Sequence, residues 1–93
     1  IAYIYDGNFT ITAIKNSSIN FTNNAKGYIS VFALSGVAKG VTIEGLLYEL
    51  NNAELPPYFP LGVSNEFIEK ESKISVNDGI LTIIFEGTND LIK

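Results

Sequence analysis

Carboxylates are the residues of this sequence that come closest to a catalytic pattern. Six glutamates fall into two short segments, Glu44, Glu49 and Glu54 in one, and Glu66, Glu69 and Glu71 in the other. A pair of carboxylates can act as acid and base in glycoside hydrolysis. All six, however, lie in polar or turn-adjacent stretches, where charged side chains are normally solvated. We therefore expect no catalytic residue and do not predict an enzyme.

The chain also lacks the residue types on which most other catalytic and metal sites depend. None of its 93 residues is Cys or His. This excludes Ser-His and Cys-His nucleophiles, the usual zinc sites and a disulfide framework. Oxygen ligands suited to calcium occur in Asp6-Gly7-Asn8 and Asn77-Asp78-Gly79, but a turn explains each of them without a metal. We expect no cofactor and no metal.

Charge and hydropathy limit the partners. The formal net charge is −4 and the six cationic residues are scattered lysines, so the sequence lacks the basic patch that nucleic-acid binding requires. No apolar run approaches the roughly 18 residues needed to span a bilayer. Charged residues make up 17 % of the chain, against about 25 % in a typical soluble domain. We expect one domain over residues 1–93 that buries part of its surface against a partner.

Alternation of apolar and polar residues with a period of two dominates the chain. It is clearest around Phe9 to Ala13 and around Val41 to Ile43, and turn residues separate the apolar segments. Short strands at spacings of about 8–12 residues are typical of an all-β sandwich or barrel. We predict an Ig-like β-sandwich of six to eight mainly antiparallel strands.

Two parts of this pattern make sharper predictions. Residues 28–34 are apolar on both faces except for Ser30, which indicates a central strand buried on both sides. Asp78-Gly79 lies between two apolar runs, which predicts a β-hairpin of residues 73–76 and 80–85. The predicted core consists of Phe21, Ile29, Val31, Phe32, Leu34, Val41, Ile43, Ile74, Val76, Leu81, Ile83 and Phe85.

Three N-glycosylation sequons lie within fifteen residues of one another, at Asn8, Asn16 and Asn20. Ten Asn and thirteen Ser or Thr residues predict fewer by chance, so the cluster favours N-linked glycans. The chain also begins at Ile1 and contains no Met, which we interpret as removal of a leader. Both observations predict an extracellular protein. Polar turn and strand residues are the alternative explanation of the sequons.

The first five residues, Ile1, Ala2, Tyr3, Ile4 and Tyr5, form an apolar strand that no charged residue protects before Asp6. Such a strand either closes its own sheet or pairs with the open sheet of a neighbouring copy. Donation to the next copy gives a head-to-tail contact that grows into a filament. The sequence therefore raises a homopolymer as a hypothesis, with residues 1–6 as the donor segment.

The layout of the whole chain resembles secreted filament subunits that assemble by donor-strand complementation, with archaeal thread-like and bundling pili as the nearest class. The shared features are the leaderless start, the apolar N-terminus, the small Cys-free sandwich and the clustered sequons. The resemblance implies a glycosylated, non-enzymatic extracellular fibre for adhesion or biofilm. A monomeric cell-surface adhesin or S-layer module and a viral coat component are the alternatives.

Overall fold

The computed structural model describes residues 2–5, 8–57 and 63–93. Within these ranges the chain forms nine strands and one 3-10 helix. The strands are β1 (Ala2–Tyr5), β2 (Phe9–Lys15), β3 (Ser18–Phe21), β4 (Tyr28–Phe32), β5 (Ala38–Glu44), β6 (Leu50–Leu55), β7 (Val63–Glu66), β8 (Ser72–Ser75) and β9 (Ile80–Glu86), and the helix is Asn89–Leu91. No helix in the described part of the chain has the length and hydropathy of a membrane span.

The strands form two antiparallel sheets that pack face to face. One sheet has the order β1-β2-β9-β4-β7 and the other the order β3-β8-β5-β6. The prediction of an all-β sandwich of mainly antiparallel strands is confirmed, with nine strands instead of six to eight. Alternate residues of each strand point between the sheets, as the pattern of period two requires.

The predicted core is confirmed except at two positions. Phe32 is half-buried, and Leu34 is 65 % exposed. Strand β4 is central in its sheet, but its residues alternate between buried and accessible positions, so only one of its faces is covered. The expectation of burial on both faces was therefore wrong, because an apolar run does not by itself require a second covering layer.

The predicted hairpin of residues 73–76 and 80–85 does not form. Strand β8 pairs with β3 and β5, whereas β9 pairs with β2 and β4 in the other sheet. The Asn77-Asp78-Gly79 turn is a corner at which the chain crosses between the sheets. Lys39 supplies the hydrogen-bond acceptor for this corner, since the backbone N–H groups of Asn77 and Asp78 both donate to its carbonyl oxygen.

A second corner lies directly beside the first. The chain leaves β2, turns at Asn16 and Ser17, and enters β3 in the opposite sheet. The backbone N–H of Val76 donates to the carbonyl oxygen of Ser17 at 2.9 Å, which joins the two corners. Residues 9–21 and 72–86 therefore run side by side through both sheets.

The N-terminal strand pairs within its own molecule. Strand β1 lies antiparallel to β2 at the edge of the five-stranded sheet, with Ala2 opposite Thr12 and Tyr5 opposite Phe9. Ala2, Tyr3, Ile4 and Tyr5 thus occupy the position that a donated strand would take, whereas Ile1 lies outside the described residues. The sequence analysis gave two fates for this strand, donation to a neighbouring copy or pairing within its own sheet, and the structure shows the second.

Candidate ligand-binding cleft

A small cleft at one end of the sandwich combines two exposed aromatic rings with a carboxylate. Its walls are formed by Tyr28, Tyr48, Asn65 and Glu66, and its volume is about 190 Å³. We call this site the tyrosine cleft. Tyr28 is the first residue of β4, and its backbone partner across the sheet is Glu66, the last residue of β7. This pairing places the phenol ring of Tyr28 and the carboxylate of Glu66 at the same end of the sheet.

Tyr48 reaches the cleft from the loop between β5 and β6, residues 45–49, which we call the Gly45 loop. The loop leaves one sheet and contacts the edge of the other. Leu46 bridges to Phe67, and the backbone N–H of Leu47 donates to the carbonyl oxygen of Glu66 at 3.0 Å. The loop also closes on itself, because the backbone N–H of Gly45 donates to the Glu49 carboxylate at 2.9 Å.

Asn65 is the buried polar residue of the cleft, with only 3 % of its surface exposed. Its Nδ2 donates to the carbonyl oxygen of Tyr48 at 2.6 Å, and its Oδ1 accepts from the backbone N–H of Tyr48 at 2.9 Å. The same Oδ1 accepts from the backbone N–H of Glu66 at 3.0 Å. The amide is thus satisfied at both ends and connects the two sides of the cleft.

The two tyrosines differ from the other aromatic residues whose burial the structure describes in being open to solvent. Tyr28 is 63 % exposed and Tyr48 is 62 % exposed, whereas Phe21 and Phe85 are fully buried. The Glu86 carboxylate anchors Tyr28 by accepting its backbone N–H at 2.9 Å. Exposed aromatic rings on anchored backbone present flat faces for stacking at little conformational cost.

The electrostatics of the cleft favour a cation. Glu66 is exposed, and no lysine of the described residues forms an ion pair with its carboxylate. A carboxylate beside two phenol rings attracts positive charge through Coulomb and cation–π interactions. The cleft can therefore bind a flat ligand, and in particular one that carries a positive charge.

The predicted site residues lie elsewhere. Asn8, Asn16 and Asn20 are all exposed, but none of them lines the cleft, and glycosylation at these positions stays a prediction. Of the six glutamates, Glu66 alone lies in the cleft. In the ranges that the structure describes, no group of acidic residues could hold a metal ion. The sequence analysis missed Tyr28, Tyr48 and Asn65, because their nearness arises from the contact of the Gly45 loop with the β7 edge of the other sheet.

Comparison with known proteins gives a consistent result. Residues 16–81 match the model of the family described as thiamin pyrophosphokinase, vitamin B1 binding domain. A thiamine pyrophosphokinase from Bacillus subtilis is 27 % identical, with a TM-score of 0.81 over 95 % of this chain and 42 % of that one. No curated protein matches the chain.

Two further structures share the fold at lower identity. A thiamin pyrophosphokinase from Geobacillus thermodenitrificans is 23 % identical, with a TM-score of 0.77 over 95 % of this chain and 41 % of that one. A thiamin pyrophosphokinase family protein from Enterococcus faecalis is 22 % identical, with a TM-score of 0.66 over 88 % of this chain and 38 % of that one. The chain thus spans about two fifths of the length of these solved proteins.

These matches overturn the function predicted from the sequence. The resemblance to archaeal pili was wrong, and so was the filament subunit that followed from it. The alternatives, an adhesin or S-layer module and a viral coat component, were wrong as well. The extracellular location was wrong for the same reason, because it depended on that resemblance, on three short sequons and on the absence of Met. A layout of strands and turns is common to many unrelated sandwiches, so it does not identify a function.

The sequence analysis predicted that the protein is not an enzyme. The solved relatives are enzymes by name, so the chain shares the fold of an enzyme family. The family model covers most of the chain, from the corner at Asn16 to the second residue of β9. This chain belongs to the family of thiamin pyrophosphokinase vitamin B1-binding domains.

Proposed function

We propose that this chain is the thiamin-binding domain of a thiamin pyrophosphokinase and that thiamin binds in the tyrosine cleft. The observation that carries the proposal is the cleft itself, in which two exposed tyrosines flank the exposed Glu66 carboxylate. Family membership supplies the ligand, since the family is described as binding vitamin B1.

The chemistry of thiamin matches the groups in the cleft. Its thiazolium ring carries a permanent positive charge, and its aminopyrimidine ring is flat and aromatic. A cation over a phenol ring at an exposed site gains about 0.5–1 kcal/mol. The Glu66 carboxylate adds attraction to the same charge, and the net charge of −4 on the chain favours the approach of a cation.

The proposal assigns substrate binding to this chain and leaves the transfer of the pyrophosphoryl group to other parts of a longer enzyme. The described residues include no His or Cys, and they hold no cluster of acidic residues that could bind a metal ion. The solved relatives are more than twice as long as the chain that matches them. Holding the organic substrate is the task that suits the groups of the cleft.

A titration of the protein with thiamin, followed by NMR, tests the proposal. Signals of Tyr28, Tyr48 and Glu66 should shift together. The neutral thiazole alcohol that forms one half of thiamin should bind more weakly than the same fragment methylated at its ring nitrogen, which is a cation. Glu66→Gln should weaken thiamin binding by about two- to fivefold, the value of one exposed charge pair. Glu54→Gln is the matched control, because Glu54 is exposed on β6 outside the cleft.

The proposal would be contradicted by shifts confined to other parts of the sandwich, or by equal loss of affinity in Glu66→Gln and Glu54→Gln. Equal affinity for the neutral thiazole and the thiazolium would show that the Glu66 carboxylate does not contribute to binding through the charge of the ligand.

A further inference from the structure

We infer that Asn65 is a positioning residue of the tyrosine cleft, which acts on the ligand chiefly by holding Tyr48. The inference rests on the proposed function, because it assumes that the ligand lies against the Tyr48 ring. Asn65 itself is 3 % exposed, so it offers a ligand almost no surface. Its effect on binding must therefore pass through the groups that it holds.

The hydrogen bonds of Asn65 converge on one residue. Both the N–H and the carbonyl oxygen of Tyr48 pair with the Asn65 amide, at 2.9 and 2.6 Å. A side-chain amide here takes the place of the peptide that a further strand would supply at the edge of β7. The Tyr48 backbone is thus fixed although its ring is 62 % exposed.

The third bond of Asn65 determines the spacing across the cleft. Its Oδ1 also accepts the backbone N–H of Glu66, and Glu66 is the cross-strand partner of Tyr28. The Asn65 amide therefore holds Tyr48 itself, next to the Leu47–Glu66 backbone bond, against the strand pair that carries the other two walls. A ligand meets a preformed cleft and does not have to order the Gly45 loop, which favours affinity.

Only an amide of this length satisfies the geometry. Asp has the same shape and keeps the two acceptor bonds, but it lacks the donor to the Tyr48 carbonyl and places two oxygens against each other there. Ala removes all three bonds and leaves partly buried backbone groups of Tyr48 and Glu66 without these partners. Asn65→Asp and Asn65→Ala therefore release Tyr48 to different degrees.

A four-variant cycle tests the inference through thiamin affinity. The cycle compares Asn65→Asp in the wild-type protein and in Tyr48→Ala, which keeps the backbone groups that Asn65 binds. Asn65→Asp should weaken thiamin binding about threefold to tenfold in the wild-type background, as expected for the ordering of one loop, and less than twofold in Tyr48→Ala. An equal loss in both backgrounds would overturn the inference.

Amide hydrogen exchange of Tyr48 separates this inference from the proposed function. Asn65→Asp should accelerate exchange of the Tyr48 amide in the absence of any ligand, and Asn65→Ala should accelerate it further. Asn16→Ala is the control, because it removes a hydrogen bond of a side-chain amide at the far end of the sandwich. Faster exchange without thiamin binding would support the role of Asn65 and reject the thiamin site, whereas unchanged exchange would overturn the role of Asn65.

Discussion

The side-chain oxygen of Asn16 accepts a hydrogen bond of 2.8 Å from the backbone N–H of Gly79, and the Asn16 N–H donates to the Gly79 carbonyl at 3.0 Å. These two bonds join the two corners at which the chain crosses between the sheets. Asn16 adopts a φ of 48°, in the left-handed region that Asn tolerates better than most residues. Asn16, one of the three sequon asparagines, thus stabilises the corner between the sheets.

Substitution of Asn16 should separate the two parts of that role. Asn16→Gly removes the side-chain bond but tolerates the left-handed backbone, so we expect a loss of about 1 kcal/mol in the free energy of unfolding. Asn16→Ala also strains the backbone, and it should lose about 1 kcal/mol more. Urea unfolding of both variants measures the difference. Equal losses would show that the backbone conformation contributes nothing.

Gly45, at the start of the Gly45 loop, should tolerate no larger residue. Its φ is 81°, and a Cβ atom there would clash with the carbonyl oxygen of Glu71 and lie 2.9 Å from the Cα of Ser72. Because both neighbours are backbone, neither can rotate away. We expect Gly45→Ala to cost about 3 kcal/mol or more, measured by thermal or urea unfolding.

Gly36→Ala is the control for that prediction. Gly36 also has a positive φ, of 155°, but nothing lies within 4 Å of the position of its Cβ. It should therefore show backbone strain alone, at about 1 kcal/mol. A loss in Gly45→Ala no greater than in Gly36→Ala would mean that the segment of Glu71, directly before β8, moves freely.

Phe21 should be the most costly core side chain to shorten. It is fully buried and packs edge to face against Phe67 and Phe85, with ring centroids 5.3 and 4.9 Å away. Phe21→Ala should lower the free energy of unfolding by about 3–5 kcal/mol through cavity formation. Phe21→Leu retains most of the volume but loses both aromatic pairs, and it should cost about 1–2 kcal/mol. Calorimetry would contradict this order if Leu were as costly as Ala.

The ion pair between Lys93 and Glu71 should matter little, although its nitrogen and oxygen are 2.8 Å apart. The two side chains are 47 % and 63 % exposed, so water and salt screen them. We expect Lys93→Ala to change the free energy of unfolding by less than about 0.5 kcal/mol. A larger loss that disappears at high salt would indicate a stronger interaction than exposure permits.

The fold was largely predictable because one physical rule governs most of it. Residues on the inner faces of the sheets must be apolar, and a period of two marks them, as at Leu81, Ile83 and Phe85. The rule is one-way, since an apolar residue need not be inside. Leu34 satisfies the pattern but follows the end of β4 and is exposed.

Partners of strands were less predictable than strands. Asp78-Gly79 has the residues of a hairpin turn, but a corner between sheets needs the same sharp reversal and the same conformational freedom. The choice is made by contacts with Lys39 and Asn16, which are distant in the sequence. Local residue types alone do not contain that information.

The cleft was not predictable for a related reason. Tyr28, Tyr48 and Asn65 belong to three separate elements, and their nearness depends on the Gly45 loop crossing to the edge of β7. Tyrosine and asparagine are also ordinary residues of strands and turns, so neither type stands out as a ligand residue. The ligand proposed for the cleft comes from the family match and not from a motif in the sequence.

The pairing of β2 with β9 has a consequence for biosynthesis. Phe9 lies opposite Glu86 and Lys15 opposite Ile80, so the centre of the larger sheet joins two strands that are distant in the sequence. Synthesis at about 5–20 residues per second separates these strands by several seconds. During that interval β2 has no ladder on its β9 side, and its backbone groups and apolar residues stay available to other chains. The sandwich can close only after translation has passed β9. Folding of the newly made chain therefore depends on the rate of synthesis between β2 and β9.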